Sequence, residues 1–213
     1  MNTDAVLSQV AQEVAVCKKC VLCHSRKKAV PGEGPAKATI MLVGEGPGFH
    51  ENEQGRPFVG QAGKFLDELL AGIHVKREDV FIGNVVKCRP PGNRDPLPEE
   101  LAACSDYLDR QIAAINPQVI VTLGRFSMAR FLPNAKISDV HGQSFQVKER
   151  LVIPMFHPAA ALHQPSLRPM VERDFSRLPQ LIAQSFAGAV QLADSDEEKK
   201  AEIKPAPKQL NLF

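Results

Sequence analysis

A chain of 213 residues with 44% apolar and 23% charged residues can build one well-buried domain and lacks the bias of fibrous or disordered proteins. Its 26 basic residues against 24 acidic ones leave a net charge of +2, so affinity for a polyanion has to come from local clustering. No apolar run reaches bilayer-spanning length, and MNTDAVLSQVAQEVAV lacks the basic start and unbroken apolar core of a secretory signal; a soluble, cytoplasmic, monomeric protein is expected.

In chain order, Val6, Val10 and Val14 with Leu7 line one face of a helix ending near Cys17. Four short apolar runs follow: TIMLVGE (39–45), DVFIGNVV (79–86), QVIVTLG (118–124) and RLVIPMF (150–156). They are near-continuous rather than alternating, as in strands covered on both faces. Between them, GKFLDELLAGI (63–73) groups Phe65, Leu66, Leu69 and Leu70 on one side, and the segment 96–115 starts with Pro and acidic residues, a helix N-terminal pattern. FSMARFLP follows the third strand. This order predicts a three-layer α/β fold around a central, mainly parallel four-stranded sheet with right-handed crossovers. Residues 1–190 form the expected domain; 191–213 form a tail, polar and Pro-containing over 193–208 and apolar again at its end.

Cysteines 17, 20 and 23 repeat a C-x2-C spacing, and Cys88 and Cys104 follow far downstream. In a reducing compartment such thiols favour metal binding or catalysis over disulfides. The run lacks the fourth cysteine of a ferredoxin motif and the second knuckle of a zinc ribbon. Four thiolates suit zinc or a [4Fe–4S] cluster, and spacing alone does not choose. Buried core thiols are the plain alternative for Cys88 and Cys104.

Six glycines, at 44, 46, 48, 55, 60 and 63, punctuate the segment after the first strand. Ligands of open α/β sheets bind beyond the carboxyl ends of strands, where glycine lets backbone approach closely. The pattern is neither a dinucleotide fingerprint nor a Walker loop. Phe58 in this polar loop either stacks on a base or packs beneath the loop. Asn84 ends the second strand and offers a donor and an acceptor together. His157, at the end of the fourth, is placed to point into the same cleft. Lys87, Arg89, Arg94, His163 and Arg168 would form a basic rim suited to phosphates, or a solvated surface.

These segments together resemble the family 4, iron–sulfur uracil-DNA glycosylases over roughly residues 10 to 185. The resemblance is carried by C-x2-C before Arg26, Val30, Gly32 and Gly34, by GEGPG…E…GRPFVGQAG, by NVVKCRPPGNR and by the final His-Pro loop. It implies Cys17, Cys20, Cys88 and Cys104 as ligands of a structural [4Fe–4S] cluster, with Cys23 spare. It implies hydrolysis of the uracil–deoxyribose bond in DNA, the base being flipped into a pocket. Phe58 would then stack on uracil, Asn84 would bond its N3–H and O4 edge, and His157 would donate to O2. Backbone around Glu45 and Gly46 would assist. The better-known members of the superfamily carry an Asp where Gly46 stands and a Tyr where Gly48 stands; Glu51, ahead of Glu45, is the candidate for orienting water. Arg89, Arg94, Leu162 and His163 would meet DNA, although the Leu-Arg pair of the family reads Leu162-His163 here. RPPGNRDPLP lacks the basic, His-containing insertion of a covalently trapping relative, so turnover is expected. A glycosylase for another deaminated base, such as hypoxanthine, and a non-catalytic iron–sulfur DNA-binding clamp adaptor are the rival readings. The terminal QLNLF resembles the motif by which bacterial proteins bind the sliding clamp, with Gln209, Leu210, Leu212 and Phe213 as contacts.

Overall fold

The computed structural model describes residues 2–185. The expected tail, its QLNLF ending and the boundary at residue 190 lie outside the described residues. Among the described residues no helix is long and apolar enough to cross a membrane.

A five-stranded sheet runs in the order β2-β1-β3-β5-β4. Strands β1 (Ile40–Gly44), β2 (Phe81–Asn84), β3 (Val119–Leu123) and β5 (Arg150–Met155) are the four read from the sequence, all parallel. The fifth, β4 (Phe145–Val147), pairs antiparallel with β5 at the edge. It is a short hairpin arm turning through Lys148 at φ 54°, with none of its three residues fully buried.

Alternation along the strands separates two cores. Leu42, Val121 and Ile153 pack with Phe65, Leu66 and Leu70 of α3 (Gln61–Gly72) and with Val171 and Phe175 of α8 (Arg168–Ser176). Met41, Val43, Ile120 and Val152 face the other way, onto Leu108 and Ile115 of α4 (Pro98–Ile115). Helix α1 (Thr3–Val16) packs on α4 and buries Val10 and Val14 in a third cluster with Cys88, Cys104 and Tyr107. The result is a three-layer α/β/α sandwich. The shorter helices α2 (Phe49–Gln54), α5 (Arg125–Ala129), α6 (Ile137–Val140) and α7 (Pro158–His163) occupy the connections. Of these, α2 and α7 follow the carboxyl ends of β1 and β5 and so border the cleft.

Candidate active site

The carboxyl ends of β1, β2 and β5 bring Phe58, Asn84 and His157 together. The Phe58 and His157 rings lie with centroids 5.5 Å apart and planes within 21°. A Cβ added at Gly44 would collide with Asn84 Oδ1 and lie 2.7 Å from Phe58 Cζ. The glycine ending β1 is thus where the carboxamide and the aromatic ring close on one another.

Asn84 is 1% exposed, and its Oδ1 has no hydrogen-bond partner. A buried acceptor without a donor costs about 1–3 kcal/mol, a cost that a ligand bringing a donor would remove. His157 caps α7: its Nδ1 accepts the Ala159 N–H at 3.1 Å. Burial pushes the imidazole down to about 4, and Glu51 pulls weakly the other way. At neutral pH the ring is uncharged, and with Nδ1 accepting, its proton sits on Nε2.

Phe58 is buried, yet its φ is 50°. Holding a non-glycine residue there costs on the order of 1–3 kcal/mol and persists only where neighbours dictate it. Glu51 Oε1 accepts from both Val59 N and Gly60 N at 3.0 Å, and Arg77 donates to the Phe58 and Pro57 carbonyls. A Cβ on Gly63 would strike the Phe58 carbonyl group, which is why α3 can begin against this turn. Glu45 turns away from Phe58: its Oε1 accepts from Phe126 N at 3.1 Å, at the start of α5, and burial raises its carboxyl above the usual range. The Gly44 and Glu45 carbonyls accept from Val85 N and Val86 N, and Gly46 packs against Val86 and Pro90.

The basic rim divides. Lys87 is 1% exposed, with Nζ donating to Asn84 O at 3.0 Å and Gln111 Oε1 at 2.7 Å. It is an interior fastener, contrary to the expectation that placed Lys87 in the basic rim or on a solvated surface. Arg94 makes a bidentate pair with buried Glu100, at 2.9 and 2.6 Å. Arg168 pairs with Glu68 and Glu172 and lies over the Phe65 ring. Arg89 stays at the surface, held by Asn93 Oδ1 at 2.7 Å and lying over the exposed Phe49 ring. Leu162 is exposed on α7 with His163 beside it.

None of the five cysteines forms a disulfide, and all five line one cavity with Val14, Leu22, Arg26, Val86 and Tyr107. Among the described residues, no three His, Cys, Asp or Glu side chains close around a single metal ion. The donor set still fits a larger thiolate-bound centre. Lys87 N points at Cys104 Sγ at 3.3 Å, Lys19 N at Cys17 Sγ and Arg26 Nη1 at Cys88 Sγ, both at 3.5 Å; such donors stabilise sulfur carrying negative charge. Burial raises the Cys20 and Cys88 thiols and pushes Cys104 up to about 11, so a bound cation would be what favours their thiolates. Cys23 lines the same cavity, and proximity alone does not single it out. Arg26 clasps the site by also donating to Cys17 O at 2.9 Å. The sequence marked Arg26 only as part of a motif, and gave no signal for Arg77.

A family model described as the uracil DNA glycosylase superfamily matches residues 31–178. The type-4 uracil-DNA glycosylase of Sulfurisphaera tokodaii is 50% identical over 185 residues, covering 82% of this chain and 84% of its own. That of Archaeoglobus fulgidus is 49% identical over 185 residues, covering 82% and 92%. The type-4 enzyme of Thermotoga maritima is 44% identical over 184 residues, covering 84% and 96%. With that coverage and the three-layer fold around its cleft, the chain belongs to the uracil DNA glycosylase superfamily and to its type-4 branch.

Proposed function

We propose that this protein excises uracil from DNA by hydrolysing the N-glycosidic bond, leaving an abasic site for base-excision repair. The observation that carries the reading is the unpartnered, buried Asn84 Oδ1 beside the Phe58 and His157 rings. Uracil supplies the missing donor through N3–H, while O4 accepts from the carboxamide N–H. Cytosine presents the reverse pattern and would leave buried polar groups unpaired, a penalty worth several powers of ten in hydrogen-bonding sites. Flipping costs a few kcal/mol, which stacking on Phe58 helps to offset.

As the C1′–N1 bond breaks, its electron pair leaves with the base and negative charge gathers on O2. The neutral His157 imidazole donates its Nε2–H there as a hydrogen bond, without transferring the proton. A preorganised donor at developing charge is worth about 3–4 kcal/mol. Water adds to C1′ and loses a proton, and the uracil anion takes one up at nitrogen. Glu51 Oε2 is the group assigned to orient that water, since Oε1 is engaged with the loop amides. The backbone at Glu45 and Gly46 would close the pocket behind the base.

Cys17, Cys20, Cys88 and Cys104 are the proposed holders of a [4Fe–4S] cluster, which would fasten the segments that carry them. Arg89, Leu162 and His163 are the proposed DNA contacts, Leu162 as the wedge that fills the emptied stack; Arg94 joins them only as far as its pair with Glu100 allows. The clamp contact through Gln209, Leu210, Leu212 and Phe213 remains a proposal from sequence, as does a tethering role for the tail. Release of uracil is tested with excess uracil-containing oligonucleotide followed by alkali. Scission at uracil through many turnovers supports the reading. Release of hypoxanthine but not uracil, or binding without release, would replace it.

A further inference from the structure

Arg77 opens a 3-10 turn (Arg77–Asp79) just before β2 and plays no part in the chemistry described above. Its side chain nevertheless reaches the aromatic loop. Nη1 donates to Phe58 O at 3.2 Å and Nη2 to Pro57 O at 2.5 Å. A planar guanidinium fork matches two successive carbonyls in a way that a single ammonium cannot. Its remaining contact, Nη1 to Asp67 Oδ1 at 2.9 Å, is an ion pair with a half-exposed carboxylate, a kind that contributes little.

The carbonyl side of the Phe58 turn is thus held by Arg77, and the amide side by Glu51 through Val59 N and Gly60 N. Between the two sits a phenylalanine at φ 50°, a conformation that returns to the extended region unless its surroundings over-determine it. Relaxation there would swing the ring away from His157 and from Gly44. We propose that Arg77 is a positioning residue for base recognition, acting through the backbone of Phe58 to hold its ring where uracil stacks. This rests on the proposed uracil excision and adds a residue to that site.

The test uses the full-length protein with Arg77→Met, Arg77→Lys and Asp67→Asn. Three quantities are read: single-turnover uracil release, affinity for the same oligonucleotide carrying a tetrahydrofuran abasic analogue, and Tm. The abasic analogue has no base to stack, so a residue acting through Phe58 leaves that affinity alone. Arg77→Met is expected to slow release on the order of 10²-fold, with abasic affinity within about twofold of wild type. Arg77→Lys, reaching one carbonyl, falls between, and Asp67→Asn stays within about twofold, as an exposed pair predicts. Wild-type release by Arg77→Met overturns the proposal. So does an equal loss of abasic affinity, or an equal slowing by Asp67→Asn. If Arg77→Met does not fold, the same two readouts on Arg77→Lys decide. A wild-type protein that releases no uracil overturns the activity itself, and this inference with it.

Discussion

Gly44→Ala is the smallest perturbation that tests whether the three site residues share one pocket. Gly44 is the last residue of β1 and does not have the positive φ that would make alanine strained there, so backbone conformation is not what the change disturbs. The new methyl would lie 2.7 and 2.8 Å from Phe58 Cζ and Cε2, and closer still to Asn84 Oδ1. Carbon pairs prefer about 3.5–4.0 Å, so the ring must retreat by roughly 1 Å or the strand must bend. Neither is free to happen: the Phe58 turn is held by Glu51 and Arg77, and β1 is paired on both sides. Overpacking of this kind costs about 1–3 kcal/mol of stability, and a 1 Å misplacement of a binding group costs on the order of 10² in rate. Single-turnover uracil release should therefore fall about 100-fold, with chemical denaturation showing a folded protein and visible absorbance unchanged. Release at the wild-type rate would mean that Phe58 and Asn84 do not close on a common ligand, and the argument from Gly44 would fail.

His157→Ala should lower kcat about 10²–10³-fold, as the loss of one donor at developing charge does. His157→Gln should also be less acid-sensitive than wild type in denaturant titrations. The folded-state value of about 4 lies below the ordinary 6.5, so the unfolded chain binds the extra proton first. Wild-type stability from this residue falls as pH drops below about 6.5 and levels off below about 4; equal acid profiles for the two proteins would contradict the neutral, part-buried ring. Replacing Cys17, Cys20, Cys88 or Cys104 by Ala should abolish the visible absorbance of an iron–sulfur centre, while Cys23→Ala keeps it; loss only in Cys23→Ala would reassign the ligands. Arg94→Met should cost about 1–3 kcal/mol of stability by leaving the Glu100 carboxylate without its main donors, with a smaller effect on the salt dependence of DNA binding than Arg89→Ala, read by denaturation and by affinity at several salt concentrations.

The four parallel strands were legible because each is an apolar run covered on both faces, a burial that composition records directly. Strand β4 was not, since Phe145–Val147 is short, half-exposed and defined only by pairing with β5. The grouping at the candidate site was legible where position decides: Phe58, Asn84 and His157 stand at or beyond strand ends, and the topology of a parallel sheet sends such residues to one edge. Charged residues were read less well. Lys87 looked like a rim cation and is interior, because its partners Asn84 O and Gln111 come from its own strand exit and from α4. Arg94 and Arg77 are likewise defined by partners that only the folded chain brings near. The pairing of a long side chain with a buried acceptor leaves no periodic trace in sequence.

The stretch from Asn84 to Cys88 runs from the candidate pocket to the thiol cavity, and its bonding shows how a centre held by the proposed ligands would reach the pocket. Past the end of β2, Val85 and Val86 continue to bond the Gly44 and Glu45 carbonyls, so the exit of β2 is locked to the exit of β1. Lys87 then faces both ways. Its N–H meets Cys104 Sγ, and its Nζ returns to the Asn84 carbonyl and to Gln111, whose own amide reaches Pro31 O at 2.8 Å. Burial lowers this ammonium to about 8, and Cys104 opposes the shift. On the proposed assignments, whatever fastens Cys88 and Cys104 would also fix the peptide that carries the Asn84 carboxamide, so a structural centre in the thiol cavity would act on specificity through the position of Asn84 and not through any contact with the base.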